Sequence, residues 1–322
     1  MREPTRYHYG QFPPSNINYR ELLPLIGPAH DALARYDGKL STIPNSNILL
    51  TPLTTQEAVL SSRIEGTQAT MGEVFEYEAE EEAEGISEEK KGDINEVLNY
   101  RKAMWAAEQA LKELPLCQRV VKQAHEILLD GVRGHGKAPG EYRKIPNWIG
   151  APGCDGNGRL GRMIVPLYLS EQKLIHRPLF YISAYFEANR DEYYSRLLSI
   201  SKDNAWTQWC MFFLRAITEQ AKENLKKTEL ILDLYEKKKN LIVELTHSQY
   251  GIHALDYIFS RPIFKATDFA TCDTIPAPTA KRIIRVLRDS GIIKTLRESS
   301  GRRSAIYIFP ELLNIAEGRS VF

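Results

Sequence analysis

Apolar positions recur at helical spacing over most of this chain and at strand spacing only near its end. Residues 1–50 are rich in Pro, Asn and Tyr, with short helical patches such as YRELLPLIGPAHDALARYDG, and Pro13 to Asn18 reads as extended chain. From Thr54 to Gly66 the pattern is helical. Thr55 is placed to cap, Glu57 lies in the first turn, and Val59, Leu60 and Ile64 form a partial apolar stripe. Gly66 marks the expected stop. Residues 93–113 predict a helix that buries Val97, Leu98, Met104, Trp105 and Leu111, and residues 116–130 predict another that stops near Gly131. His125, on that second helix, reads as a packing histidine. Gly and Pro exclude a long helix from RGHGKAPGEYRKIPNWIGAPGC, although YRKIPNWIG within it suits a short hairpin. Helical signal returns after Arg162 and continues, with breaks, to about His247, so residues 54–247 are expected to be mainly α.

The tail from about residue 250 follows other rules. It reads helix, turn, helix, then two strands. Ile283, Ile284 and Leu287 give the second helix its apolar side, and Gly291 stops it. IIKTL and AIYIF flank the polar stretch RESSGRR, a hairpin with a basic tip.

Charge alters this picture in two places. EVFEYEAEEEAEGISEEKKGD carries Glu or Asp at ten of 21 positions; this suits a solvated helix and loop, with docking of a basic partner as the sharper alternative. Residues 261–303 hold ten Lys or Arg against four acids. The whole chain, 322 residues with net charge +1, is not an electrostatic nucleic-acid binder. Its four cysteines, Cys117, Cys154, Cys210 and Cys272, form no CxxC pair, so neither a zinc site nor a disulfide scaffold is indicated and a cytoplasmic setting is expected. No apolar run reaches the roughly 18 residues of a membrane span, and MREPTRYHYGQFPPSN lacks the apolar core of a secretory signal.

The densest chemistry lies in CDGNGRLGR, 154–162. Gly156 and Gly158 let backbone approach a ligand closely. A helix opening near Arg159 offers unsatisfied N–H groups and a positive dipole end. Together these form an anion cradle suited to phosphate. Arg159 and Arg162, three apart, share one helix face and can reach the same anion. Asp155 would repel phosphate unless a cation intervenes, which argues for Mg²⁺ bridging the two. A polyphosphate, with nucleotide foremost, is the expected ligand. The plainer alternative is a tight turn opening a helix, its arginines paired to surface acids. No Lys-Ser/Thr follows, as a Walker loop would require.

DGNGRLGR resembles the core motif of Fic-domain proteins, HxFx(D/E)GNGRxxR. SSRIEG, 61–66, is similar to the inhibitory motif of that family, (S/T)xxxE(G/N), GEYRKIPNWIG to its target-binding flap, and ISAYFEANRDEYYSRL to the helix after its core. The resemblance covers roughly residues 40–245. It implies a mainly α fold, a Fic helical bundle with a short β-hairpin flap, followed here by a tail that resembles a winged helix-turn-helix domain. The implied division is 1–92, with an inhibitory helix at about 54–66, then a Fic core over 93–247, then 248–322. The implied activity is transfer of AMP from ATP to a hydroxyl side chain of a protein. Asp155 would hold Mg²⁺. Gly156, Asn157, Gly158, Arg159, Leu160, Gly161 and Arg162 would wrap the phosphates. Ser61 and Glu65 would form the brake, Glu65 competing for Arg162. Asn189 and Tyr193 would lie toward the adenine or, equally, serve in helix packing. Lys144, Ile145, Pro146, Asn147, Trp148 and Ile149 would form the flap that adds a strand to the target. Implied partners are a protein substrate, the chain itself included, and a second copy in a homodimer. DNA contact through 261–303, with Lys281, Arg282, Arg285 and Arg288 on the second helix, is the less favoured use of the tail; packing or protein contact is favoured.

One part of the pattern is absent. The family's catalytic base is a His four residues before Asp155, where this chain has Ala151; Pro152 matches, and Gly153 replaces Phe. The helix that normally separates flap from core is also missing. Three explanations compete: a segment belonging between Cys154 and Asp155, a catalytically silent variant, or a remote histidine such as His176, His125 or His135. The first predicts a Cα separation at that junction beyond the ~3.8 Å of a trans peptide. Two rival functions stand beside AMP transfer. One is a DNA-binding regulator with a nucleotide-sensing or silent Fic module. The other is transfer of a different phosphate-linked group, or removal of AMP.

Overall fold

The computed structural model describes residues 5–6, 12–43, 45–80, 86–133, 136, 138–142, 148–149, 158–301 and 303–322. In chain order the elements are β1 (Thr5–Arg6), α1 (Tyr19–Ser41), α2 (Ser46–Leu49), α3 (Thr51–Ile64), α4 (Met71–Ala79), α5 (Glu88–Ala110), α6 (Gln118–Leu128), β2 (Trp148–Ile149) and α7 (Gly158–Glu171). They continue with α8 (Ser183–Ala188), α9 (Arg190–Asp203), α10 (Trp206–Thr246), α11 (Gly251–Ser260), β3 (Ile263–Lys265), α12 (Ala266–Ala270), α13 (Ala277–Asp289), β4 (Lys294–Arg297), β5 (Ile306–Ile308) and α14 (Pro310–Glu317). The mainly α expectation is met. Two compact units interleave along the chain: Met1–Gly38, Glu57–Gln68 and Asn95–Asn224 form one, and Lys39–Gln56, Ala69–Ile94 and Leu225–Phe322 the other.

In the first unit, α1 is one continuous helix rather than separate patches, even with Pro24 and Pro28 inside it. Internal proline costs about 3 kcal/mol or more; the buried stripe of Leu22, Ala29, Leu33 and Tyr36 offsets that cost, and the Tyr36 hydroxyl donates to the Leu179 carbonyl. Helix α5 forms as expected, but with a different face inward. Val97 is buried together with Tyr100, Ala103 and Ala107, while Trp105 is 65% exposed. Ala103 and Ala107 lie on the packed face, and Trp105 lies off it. The β2 strand pairs antiparallel with β1, Thr5 opposite Ile149 and Arg6 opposite Trp148. The expected hairpin arm over residues 143–147 lies outside the described residues.

The second unit holds a three-stranded antiparallel sheet in the order β3-β5-β4, with Ile263 opposite Ile308 and a bulge between Thr295 and Arg297. In the tail, α12, α13 and the antiparallel β4–β5 pair follow in the order helix, turn, helix and two strands that the sequence predicts. The α13 helix buries Ile283, Ile284 and Leu287 and leaves Lys281, Arg282, Arg285 and Arg288 exposed. The acidic stretch is partly structural. Thr70 and Glu73 close a capping box at the start of α4, Glu73 pairs with Lys90 at 2.7 Å, and Glu80 pairs with Arg297.

Candidate functional site

The site begins with how α3 ends. Gly66 has φ +100°, a conformation open to glycine, and the Thr67 N–H donates to the Ser62 carbonyl while the Gly66 N–H donates to the Arg63 carbonyl. That is a Schellman ending, and it fixes Glu65 at the cap of the helix. Thr55, expected to start this helix, lies inside it and its hydroxyl donates back to the Thr51 carbonyl at 3.0 Å. The helix starts earlier because Pro52, in its first turn, has no N–H to satisfy there.

Helix α7 opens at Gly158, as its glycines and arginines predict. Its inward face carries Leu160, Met163 and Leu167, and among them Arg162, only 2% exposed. The Arg162 Nε donates to Ser61 Oγ at 2.9 Å, and Nη2 donates to the Ser61 carbonyl at 2.7 Å and to Glu65 Oε1 at 2.9 Å. Burial by itself would depress this guanidinium, but Tyr193 and Glu65 hold its pKa above the ordinary value. The remaining amine, Nη1, is buried without a hydrogen-bond partner among the described residues. A Cβ on Gly158 would collide with Glu65 Oε1 and come within 3.0 Å of Arg162 Nη1. Glycine is therefore what admits the carboxylate to this corner.

Arg159, one turn back, points to a second acid. Its Nη1 stands 3.1 Å from Glu96 Oε2, and burial lowers its pKa despite that neighbour. Glu96 is itself buried on α5 and held by Arg133 and Thr67. A third acid, Glu57, accepts from the Ser183 N–H at 2.9 Å and from Ser183 Oγ at 2.6 Å; burial raises its pKa. Sequence reasoning gave none of Glu57, Glu96, Thr67 or Arg133 a role at the site. The signal for the first was available: Glu57, Ser61 and Glu65 recur every four residues and so share one face of α3.

The other expected residues fall as follows. Tyr193 is buried, stacked on Phe186 with ring centroids 4.7 Å apart, and Asn189 donates its amide to the Tyr185 carbonyl. Leu160 packs into the core, and Gly161 faces open space. Asp155, Gly156, Asn157, Ala151 and the flap residues Lys144, Ile145, Pro146 and Asn147 lie outside the described residues; of the flap, Trp148 and Ile149 are described as β2. Cys154 and Asp155 are consecutive in the sequence, and their junction also lies outside those residues. His125 Nδ1 accepts from the Gly140 N–H at 3.1 Å, in keeping with a packing role, and His176 is engaged by Asp37. His135 is outside the described residues. Among the described residues no three His, Cys, Asp or Glu cluster as a metal site, Cys117, Cys210 and Cys272 are free, and no helix is long and apolar enough to cross a membrane.

Residues 23–109 match the family model of the Fic/DOC family N-terminal region. The solved structure of a Fic family protein from Desulfovibrio desulfuricans G20 is similar in fold, with a TM-score of 0.53 at 16% identity, covering 92% of this chain and 98% of that one. The first likeness is confined to that N-terminal region, and the second is one of fold. The Fic/DOC match takes in Glu57, Ser61, Glu65, Thr67 and Glu96. Arg159 and Arg162 lie beyond it.

Proposed function

We propose that this chain binds ATP through the opening turn of α7 and transfers AMP to a hydroxyl side chain of a protein, with Glu65 as an internal brake. The observation that carries the reading is Arg162. It is a buried cation gripped by Ser61 and Glu65, with one amine that has no hydrogen-bond partner among the described residues, beside the glycine that opens the helix. Such an amine suits an anion: the helix end supplies N–H donors and the guanidinium donates in pairs. While Glu65 holds Nη2, a triphosphate has to seat itself around an occupied ligand. Displacing the reacting phosphate by about 1 Å costs on the order of 100-fold in rate. The β1–β2 ladder supports a flap whose edge accepts an extended strand, the role proposed for it toward a target. Mg²⁺ would be held by Asp155 and would neutralise phosphate charge.

The base that takes the hydroxyl proton is unassigned, because its motif position is Ala151. That residue favours the second reading, a nucleotide-sensing module joined to a DNA-contacting tail, for which the outward cations of α13 are the support.

One variant separates the two. Glu65→Gly should bind ATP several-fold tighter by calorimetry and should raise protein labelling from α-labelled ATP. Tighter binding without labelling would leave the sensor reading, and no change in either would remove the brake. The DNA-contacting tail predicts duplex binding that falls steeply with salt and weakens in Arg285→Ala. Absence of any shift at low salt removes it.

A further inference from the structure

The turn that carries Glu65 is anchored on two sides. On one, the Ile64 carbonyl accepts from Arg190 Nη2 at 2.8 Å and from the Tyr194 hydroxyl at 2.9 Å, both from α9. On the other, the Thr67 hydroxyl donates to Glu96 Oε2 at 2.6 Å, both groups being buried. Glu96 reaches further than this turn. Arg133 Nε donates to its Oε1 at 2.6 Å and Arg133 Nη2 to its Oε2 at 2.9 Å, while Arg159 Nη1 stands 3.1 Å away. A single buried carboxylate thus joins three segments: the brake turn, the loop bearing Arg133 and the first turn of α7.

The three partners are not equal. Arg133 is 59% exposed at its side chain but makes two short, aligned bonds to the carboxylate. Arg159 is near enough to attract, yet among the described residues its buried Nη1 makes no aligned hydrogen bond. A carboxylate in low dielectric must keep its partners or be strongly destabilising. Because Arg133 satisfies it in two places, Arg159 can turn toward an incoming anion without leaving Glu96 unpaired. Thr67, by contrast, has its hydroxyl committed within this cluster, donating to Glu96 and accepting from Arg133 Nη2 at 3.2 Å, and it follows Glu65 by only two residues.

We infer that Glu96 is a positioning residue: through Thr67 it holds the brake turn so that Glu65 stays on Arg162, and it sets Arg159 ready beside it. This rests on the proposed brake. Loss of the Thr67 hydroxyl should loosen residues 64–67 and weaken the Glu65–Arg162 pair without removing any group of the anion site.

The test is a cycle on the full chain, read by ATP calorimetry and by amide hydrogen exchange. Thr67→Val should tighten ATP binding about two- to ten-fold, the range that one hydrogen bond allows. In a Glu65→Gly background it should add nothing, because the brake is already gone. Thr67→Ser, which keeps the hydroxyl, should behave as the parent. Exchange over 64–67 should quicken in Thr67→Val and Glu96→Gln and stay slow in Thr67→Ser. An equal effect of Thr67→Val in both backgrounds, or unchanged exchange over 64–67, overturns the inference. If Glu65→Gly itself leaves ATP affinity unchanged, the brake fails, and exchange alone then decides whether the Thr67–Glu96 latch exists.

Discussion

Near α7 the buried side chains of the first unit include Arg162, Glu57, Glu96 and Ser61. In the second unit, around the sheet, they include Phe259, Phe264, Phe269, Phe309, Ile306 and Leu287. The second interior is close-packed and aromatic: Phe259 meets Tyr235 and Phe309 edge-on, at 5.1 and 5.5 Å between centroids. Its buried Lys227 donates to Gln56 Oε1 at 2.9 Å and to the Ala316 carbonyl at 2.8 Å. The first interior holds charge in linked pairs instead. Removing one partner of a buried pair is costly, yet a whole pair often adds little over apolar residues of similar volume. A core that needed only stability could use the second pattern. The contrast gives one interior the pattern of stability alone and the other the buried charge that the proposed ATP site would use.

The largest effect that can break this division is a cavity. Phe259→Ala should cost about 3–5 kcal/mol of stability, the range for deleting a buried aromatic ring. Denaturant titration measures it as a lower midpoint. Calorimetry below the new midpoint should give the parental ATP affinity. An affinity that moved along with the midpoint would mean that the two interiors are not separable in function.

How far each interior could be read from sequence follows the same contrast. The tail was legible because its apolar residues are large and regularly spaced: Ile283, Ile284 and Leu287 on α13, and the alternation in AIYIF, allow few arrangements. The Glu65–Arg162 pair was legible only through the resemblance, since the two residues lie 97 positions apart and no periodicity connects them. Glu96 was missed for a physical reason. An acid in a helix counts as polar in any amphipathic pattern, and only tertiary partners show that it faces inward. Trp105 failed in the opposite sense: its size argued for burial, whereas the alanines at 103 and 107 set the packed face. The junction before Asp155 stays unread, because the motif is broken there and those residues lie outside the described ones.

The smallest effect is the most specific, since Glu57 and Glu96 should respond to pH with opposite signs. Burial pushes the Glu57 carboxyl above its ordinary pKa, and the Ser183 hydrogen bonds offset only part of that. A raised carboxyl favours the folded state while protonated. Its contribution is therefore full below the ordinary value of about 4.3 and is lost as pH rises through the folded value. For Glu96, burial is outweighed by the Arg133 hydrogen bond, the Arg159 charge and the Thr67 hydroxyl, and its pKa is lowered. Its contribution is present above about 4.3 and is lost as pH falls through the depressed value. Thermal melts between pH 3 and 8 on the parent, Glu57→Gln and Glu96→Gln read both signs, with differences on the order of a few degrees. Relative to the parent, Glu57→Gln should gain as pH rises, whereas the deficit of Glu96→Gln should be largest at neutral pH and shrink in acid. Parallel curves for the two variants would show that the linked carboxylates are not held in different charge states, and the first interior would then differ from the second in composition alone.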